Sequence, residues 1–161
     1  MKLNLGCGKD YQEGFVNVDS SSITEKVDLS WDLKKSLPYA DNSVECVRAI
    51  AVLEHFNKFD YIEIFKDWCR ILKFGGELII KVPDIENIIK AELPTGKKIL
   101  LIYGDPKFKG LNLGDSGVHK WGFTEESLRL LFKENGLEVN NIKHTDIQGV
   151  NILIKGIKNE T

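Results

Sequence analysis

Two glycines, two aspartates and two histidines carry the chemistry that can be read from this chain of 161 residues. Gly6-Cys7-Gly8 follows the apolar run Leu3–Leu5 and forms a Gly-x-Gly turn, whose missing side chains let a ligand approach the backbone. A dinucleotide fingerprint would place a third glycine at position 11, which is Tyr11, and no Gly-Lys-Ser/Thr follows to make a phosphate-cradling loop. The next strand-like run, Val16-Asn17-Val18, ends in Asp19. At the carboxyl end of a parallel strand such a carboxylate can accept two hydrogen bonds from a ribose diol, although a strand-ending turn residue would look the same. Cys7, Cys46 and Cys69 are odd in number, widely spaced and without a C-x-x-C pair, so neither a disulfide framework nor a metal site is readable. Cys7 reads as a small filler, because nothing near it in sequence would lower its pKa.

The elements that must position these residues alternate between short apolar runs and longer stretches of helical period. Strands are expected at Leu3–Leu5, Phe15–Val18, Val44–Ile50, Leu78–Val82, Leu137–His144 and Val150–Lys155. A helix is expected from about Asp60 to Lys73, with Ile62, Phe65, Cys69 and Leu72 on its inner face, an Asp60/Glu63 capping box and Gly75-Gly76 as its stop. A second helix spans Thr124–Asn135, with Thr124 as N-cap and Leu128, Leu131 and Phe132 facing inward. This order implies an α/β, Rossmann-like, doubly wound and mostly parallel sheet with an antiparallel C-terminal strand pair. Only residues 9–15 separate the glycine turn from the second strand, whereas a parallel crossover usually takes about a dozen, so the first helix is shortened or missing.

Composition bounds the setting. Hydrophobic residues at 42% and charged ones at 29% fit one globular domain, residues 1–161. With 22 basic against 24 acidic residues the net charge is −2, which disfavours a basic nucleic-acid binder. No membrane segment or signal peptide is readable, and a cytoplasmic, reducing location is the default. Residues 85–123 are the least regular stretch, with Pro94, Pro106, Gly96, Gly104, Gly110, Gly114 and Gly117 among Tyr103, Phe108 and Trp121. Such an insertion after a central strand is where an α/β protein builds a substrate pocket, a surface excursion being the alternative.

Six blocks in order, LNLGCG at 3–8, VNVD at 16–19, DLKKSLPYADNSVECV at 32–47, VLEHF at 52–56, WCRILKFGGELIIKVPD at 68–84 and HKWGFT at 119–124, resemble the class I S-adenosylmethionine-dependent methyltransferases, and among them the small type 11-like subgroup. The resemblance implies S-adenosylmethionine as cofactor and S-adenosylhomocysteine as product. It implies that Gly6, Cys7 and Gly8 pass under the methionine part and that Asp19 holds the ribose hydroxyls. Asp32 would meet the adenine amino group and Leu33 the ring, while Ile50 and Ala51 would lie beside the methionine and His55 near the reacting sulfonium. Asp32 could equally be a helix cap, and Glu54 a charge at a helix N-terminus or a substrate ligand. Phe74 stands where the family has proline, and Glu45 where it has aspartate.

Methyl transfer is an in-line displacement governed by positioning, and it needs a general base only for a poor nucleophile such as a hydroxyl. His55 and His119 are the catalytic candidates, with a solvent-facing loop residue as the other reading of His119. His144, in a strand, reads as structural. Ala51-Val52-Leu53-Glu54 occupies the place of the N/D-P-P-Y/F motif of DNA amino methylation, and no Pro-Cys nucleophile is present. The expected acceptor is a small molecule, a saccharide or another hydroxyl compound, selected by residues 85–123, a second copy of the chain or a partner protein. The alternative is a non-catalytic module that binds S-adenosylmethionine or a partner.

Overall fold

In a computed structural model of the chain, residues 1–20, 26–105, 107 and 117–160 are described. Pro106, Phe108, Gly110 and Gly114 of the insertion lie outside them. Seven strands form one sheet: β1 (Lys2–Leu5), β2 (Val16–Asp19), β3 (Leu29–Ser30), β4 (Val44–Ile50), β5 (Leu72–Pro83), β6 (Leu137–Thr145) and β7 (Asn151–Lys158). Their order is β3-β2-β1-β4-β5-β7-β6. All pairings from β3 to β5 are parallel, while β7 runs antiparallel to both neighbours, β5 and β6. The antiparallel pair expected at the C-terminus is therefore present, with its last strand inserted beside β5. The two-residue β3 is too short to leave an alternating pattern in the sequence.

Alternation assigns each face of the sheet. Leu3, Leu5, Val18, Val47, Ala49, Leu78, Ile80, Ile152 and Ile154 are buried on one face with the inner side chains of α1 (Lys58–Ile71) and α4 (Glu125–Glu134). Phe65 of α1 and Phe132 of α4 meet edge to face at 5.3 Å, so both helices lie over that face. Helix α4 follows expectation, with Thr124 and Ser127 capping each other and Leu128, Leu131 and Phe132 buried.

Helix α1 differs from expectation at both ends. Asn57, whose side-chain oxygen accepts from the amides of Phe59 and Asp60, starts it earlier than an Asp60/Glu63 box would. The helix stops at Ile71 because the chain passes directly into β5. Gly75 (φ +75°) and Gly76 lie within that strand, where the β4–β5 register slips between Val44 and Cys46. The buried stripe is Ile64, Phe65, Trp68, Cys69 and Ile71, with Ile62 half-buried. The carbonyls of Cys69 and Leu72, at the end of α1, accept from Lys158 Nζ at 2.7 and 2.9 Å, a long-range cap that no local pattern announces.

No helix occurs between β1 and β2. On the opposite face, Asn4 pairs in register with Asn17 on one side and Arg48 on the other. Asn4 Nδ2 donates to Asn17 Oδ1 at 2.9 Å and to the Asp10 carbonyl at 2.7 Å, while Arg48 donates to Asn4 Oδ1 at 2.7 Å and Asp10 Oδ2 at 2.8 Å. A polar network thus fastens the short crossover where a crossover helix would otherwise pack. The stretch expected to be irregular contains two helices, α2 (Ile85–Lys90) and α3 (Thr95–Tyr103). Asp84 caps α2, and α3 buries none of its residues fully, resting half-buried Leu101 and Ile102 against the small cluster of Ile88, Ala91 and Val150.

Candidate functional site

The carboxyl ends of the parallel strands bring most of the expected residues together. After the buried Leu5, Gly6 and Gly8 adopt left-handed conformations at φ +60° and +49°. A Cβ on Gly6 would stand 2.6 Å from Val52 Cγ2, whereas one on Gly8 would meet nothing within 4 Å. Gly6 is therefore required by close packing and Gly8 by backbone conformation, with open space above it. The Cys7 amide donates to the Val18 carbonyl at 3.1 Å, tying the turn to β2. The Gly8 amide donates to Asp19 Oδ2 at 2.8 Å. The turn and the acidic residue are thus one hydrogen-bonded unit. Cys7 is buried, and burial followed by the Asp19 charge pushes its thiol up, which favours the protonated form.

Asp32 is exposed and its Oδ1 accepts from the Lys34 amide at 3.0 Å, an Asx turn. Leu33, 8% exposed, belongs to the main core. The Trp31 amide donates to the Asp19 carbonyl at 3.1 Å, which keeps this segment beside the end of β2. Ile50 is half-buried at the end of β4. Ala51 has φ +55°, strain that a non-glycine residue adopts only where its surroundings impose it, and its amide is held by the Lys81 carbonyl at 2.8 Å.

That reversal leads into a 3-10 turn over Leu53–His55, which gathers a second group of residues. The Glu54 carbonyl accepts from the amides of Lys120 and Trp121 at 2.7 and 3.2 Å, so the segment after residue 117 is fastened to the turn. The rings of His55 and His119 stand 5.0 Å apart, edge to face. His55 Nδ1 lies 3.1 Å from the Val118 carbonyl and His119 Nδ1 3.3 Å from the Ile102 carbonyl. A carbonyl only accepts, so both Nδ1 atoms donate and each Nε2 keeps its lone pair. Burial pushes His55 down to about 4 and lowers His119 as well, leaving both rings neutral at pH 7.

Glu54 is 1% exposed, and neither of its carboxylate oxygens has a hydrogen-bond partner among the described residues. Burial pushes it up to about 8. One ligand atom from each of Glu54, His55 and His119 lies within 4.8 Å of the others. Glu54 lies in the first turn of the 3-10 element, ahead of α1, and neither of its two readings, a helix N-terminal charge or a substrate ligand, foresees its grouping with His119. The signal available was its place beside His55 in the run LEHF. His144 lies apart, with Nε2 3.2 Å from the buried Asp84 that caps α2, in keeping with a structural role.

Residues 3–80 match the family model described as a methyltransferase domain. An uncharacterized protein of Methanocaldococcus jannaschii is 32% identical over 111 residues, covering 60% of this chain and 47% of that protein. The chain thus spans about half the length of this curated relative. The fold is shared with a methyltransferase from a complex with the Haloferax volcanii Trm112 methyltransferase activator, at a TM-score of 0.69 and 17% identity over 99% of this chain and 82% of that one. A Thermotoga maritima chain described as an S-adenosylmethionine-dependent methyltransferase gives 0.67 and 19% over 98% and 82%. A Methanosarcina mazei chain described in the same way gives 0.67 and 16% over 98% and 92%. The sheet order and the glycine turn define a Rossmann-like methyltransferase fold. Over residues 3–80 the chain is thus similar to a methyltransferase domain, and its fold is that of chains described as S-adenosylmethionine-dependent methyltransferases. Among the described residues no helix is long and apolar enough to cross a membrane.

Proposed function

We propose that the chain transfers a methyl group from S-adenosylmethionine to the hydroxyl of a small acceptor such as a saccharide. The observation that carries this reading is the unit of Gly6, Gly8 and Asp19 at the carboxyl edge, with the half-buried pair of His55 and His119 beyond the end of the neighbouring strand. The unit fits the cofactor: the turn presents a backbone without side chains, and Asp19 is already oriented by the Gly8 amide. When bound, S-adenosylmethionine supplies an electrophilic methyl group on a sulfonium and leaves as S-adenosylhomocysteine.

In this reading Gly6, Cys7 and Gly8 pass beneath the methionine part, Asp19 accepts from the ribose hydroxyls, Asp32 receives the adenine amino group, and Leu33, Ile50 and Ala51 shape the apolar walls. The Nε2 atoms of His55 and His119 are the acceptors for a hydroxyl proton. The stretch 85–123 supplies the acceptor side of a single domain in this reading, supported by Lys120 and Trp121, whose amides donate to the Glu54 carbonyl and set His119 beside His55. The Haloferax structure, a complex with the Trm112 methyltransferase activator, supports a partner protein for this chain.

Isothermal titration with S-adenosylmethionine and S-adenosylhomocysteine tests the cofactor site. Removing charge-assisted hydrogen bonds worth about 1.5–3 kcal/mol each predicts at least a tenfold loss in Asp19→Ala. Asp19→Asn, which can still accept from the Gly8 amide, should fold normally and also bind more weakly. Absence of binding, or binding indifferent to both substitutions, sinks the reading. Turnover of labelled methyl donor against a library of hydroxylated acceptors tests the transfer; binding without turnover on any acceptor would favour the non-catalytic module.

A further inference from the structure

We propose that Glu54, His55 and His119 form a binding site for one divalent first-row transition ion of the zinc type, a set of two imidazoles and one carboxylate with an open position. Zinc sites of the open kind use three protein ligands drawn from imidazole nitrogen and carboxylate oxygen. The three side chains present that set, with one candidate ligand atom from each within 4.8 Å of the other two. Bonds of about 2.0–2.2 Å in a tetrahedral site would bring the ligand atoms roughly 3.3–3.5 Å apart. Closing around an ion therefore takes shifts of the order of 1 Å, within the reach of small side-chain rotations.

Three independent features favour a cation over a chance cluster. The first is Glu54: a side chain 1% exposed whose two oxygens have no partner among the described residues, an arrangement costly unless something positive meets it. The second is the outer layer. Each imidazole directs Nδ1 at a backbone carbonyl, Val118 for His55 and Ile102 for His119, which is how protein ligands commonly fix the tautomer that offers Nε2 to a metal.

The third is the rigid support. The Lys120 and Trp121 amides bind the Glu54 carbonyl, and the His119 amide donates to the Tyr103 carbonyl at 2.9 Å. Gly104 is packed so closely that a Cβ there would collide with the Gly117 carbonyl oxygen. The ligands from the two segments are thereby held at a fixed spacing. Lys120, whose charge reaches His55, is exposed.

Val52, which packs under Gly6, is two residues before Glu54, so the site borders the glycine turn. The open position would take water or the hydroxyl oxygen of an acceptor, whose acidity a bound cation raises; with the ion in place both Nε2 lone pairs are its ligands, and the hydroxyl proton would pass to water instead of to the imidazoles. That last role rests on the methyl-transfer reading; ion binding does not.

The test uses the full chain, stripped with a chelator and dialysed. Titration with zinc(II), followed by calorimetry and metal analysis, should give one equivalent per chain, and cobalt(II) should develop the visible absorption of a low-symmetry nitrogen and oxygen site. Glu54→Gln, nearly isosteric, and His119→Ala should each weaken zinc binding at least tenfold while circular dichroism shows retained fold. Zinc should raise the melting temperature of the wild type and not that of the His55→Ala/His119→Ala double variant. No uptake by the wild type, or equal uptake by wild type and all variants, would overturn the proposal. Metal uptake with no methyl transfer on any acceptor would leave the site standing and remove the transfer reading. Transfer that survives complete chelation, by a protein that takes up no zinc, would do the reverse.

Discussion

Gly6 and Val52 are packed so tightly that the glycine's missing side chain is part of the fold: a Cβ on Gly6 would lie 2.6 Å from Val52 Cγ2. Two penalties meet in Gly6→Ala, the clash and a side chain at φ +60°. We expect a loss of about 1–3 kcal/mol by urea denaturation. Val52→Ala, which opens space at a residue 5% exposed, should cost about 1–3 kcal/mol alone. The double variant should be more stable than the two losses added together, because removing the Val52 methyls relieves the clash and leaves only the backbone strain. Losses that add within roughly 0.5 kcal/mol would show that the two residues are not in this contact.

Much of this arrangement is legible in the sequence because it depends on local signals. The runs around Leu3, Val16, Val44 and Leu78 are apolar and strand-length, Thr124 with Gly136 brackets a helix, and the Gly6–Gly8 spacing shows where the backbone must turn. What stayed hidden depends on partners far along the chain. Lys158 caps α1 from the last strand, and α3 rests Leu101 and Ile102 on a cluster that includes Val150, much further along the chain. Glu54 and His55 are adjacent, but nothing local says that a segment beginning after residue 117 will fold back to put His119 beside them. Leu33 is legible as an apolar position, but its neighbours in sequence do not say that it packs into the main core.

The network that stands in for a first crossover helix makes its own prediction. Arg48→Met keeps the length of the side chain and removes both donors, leaving Asn4 Oδ1, inside a residue 1% exposed, without the guanidinium. An orphaned buried acceptor costs about 1–3 kcal/mol. Asp10→Ala removes the ion pair and the Gln12 side-chain hydrogen bond on the exposed side and should cost under about 1 kcal/mol. Hydrogen exchange of the amides in residues 6–15 should quicken in Arg48→Met more than in β4 or β5. An equal response across the sheet would mean that the network does not hold the crossover.

Cys69, on the inner face of α1 and 6% exposed, is pushed up to about 12 by burial, against a small opposing pull from Lys158. A thiol that stays protonated in the fold while its unfolded counterpart ionises near 8.5 stabilises the protein fully below that pH. The contribution falls as pH rises from about 8.5 toward 12, since in that window the folded state holds the proton that the unfolded chain releases. Between pH 8.5 and 10.5 the wild type should therefore lose roughly 2–3 kcal/mol more than Cys69→Ala does. Denaturant titrations of both proteins at matched pH measure this difference directly. In the native state a thiol reagent at pH 8 should modify Cys69 only as fast as the helix opens, with dependence on denaturant. Parallel pH curves for the two proteins, or rapid labelling of Cys69 in the native state, would show that this thiol is not protected by the packing of α1 on the sheet.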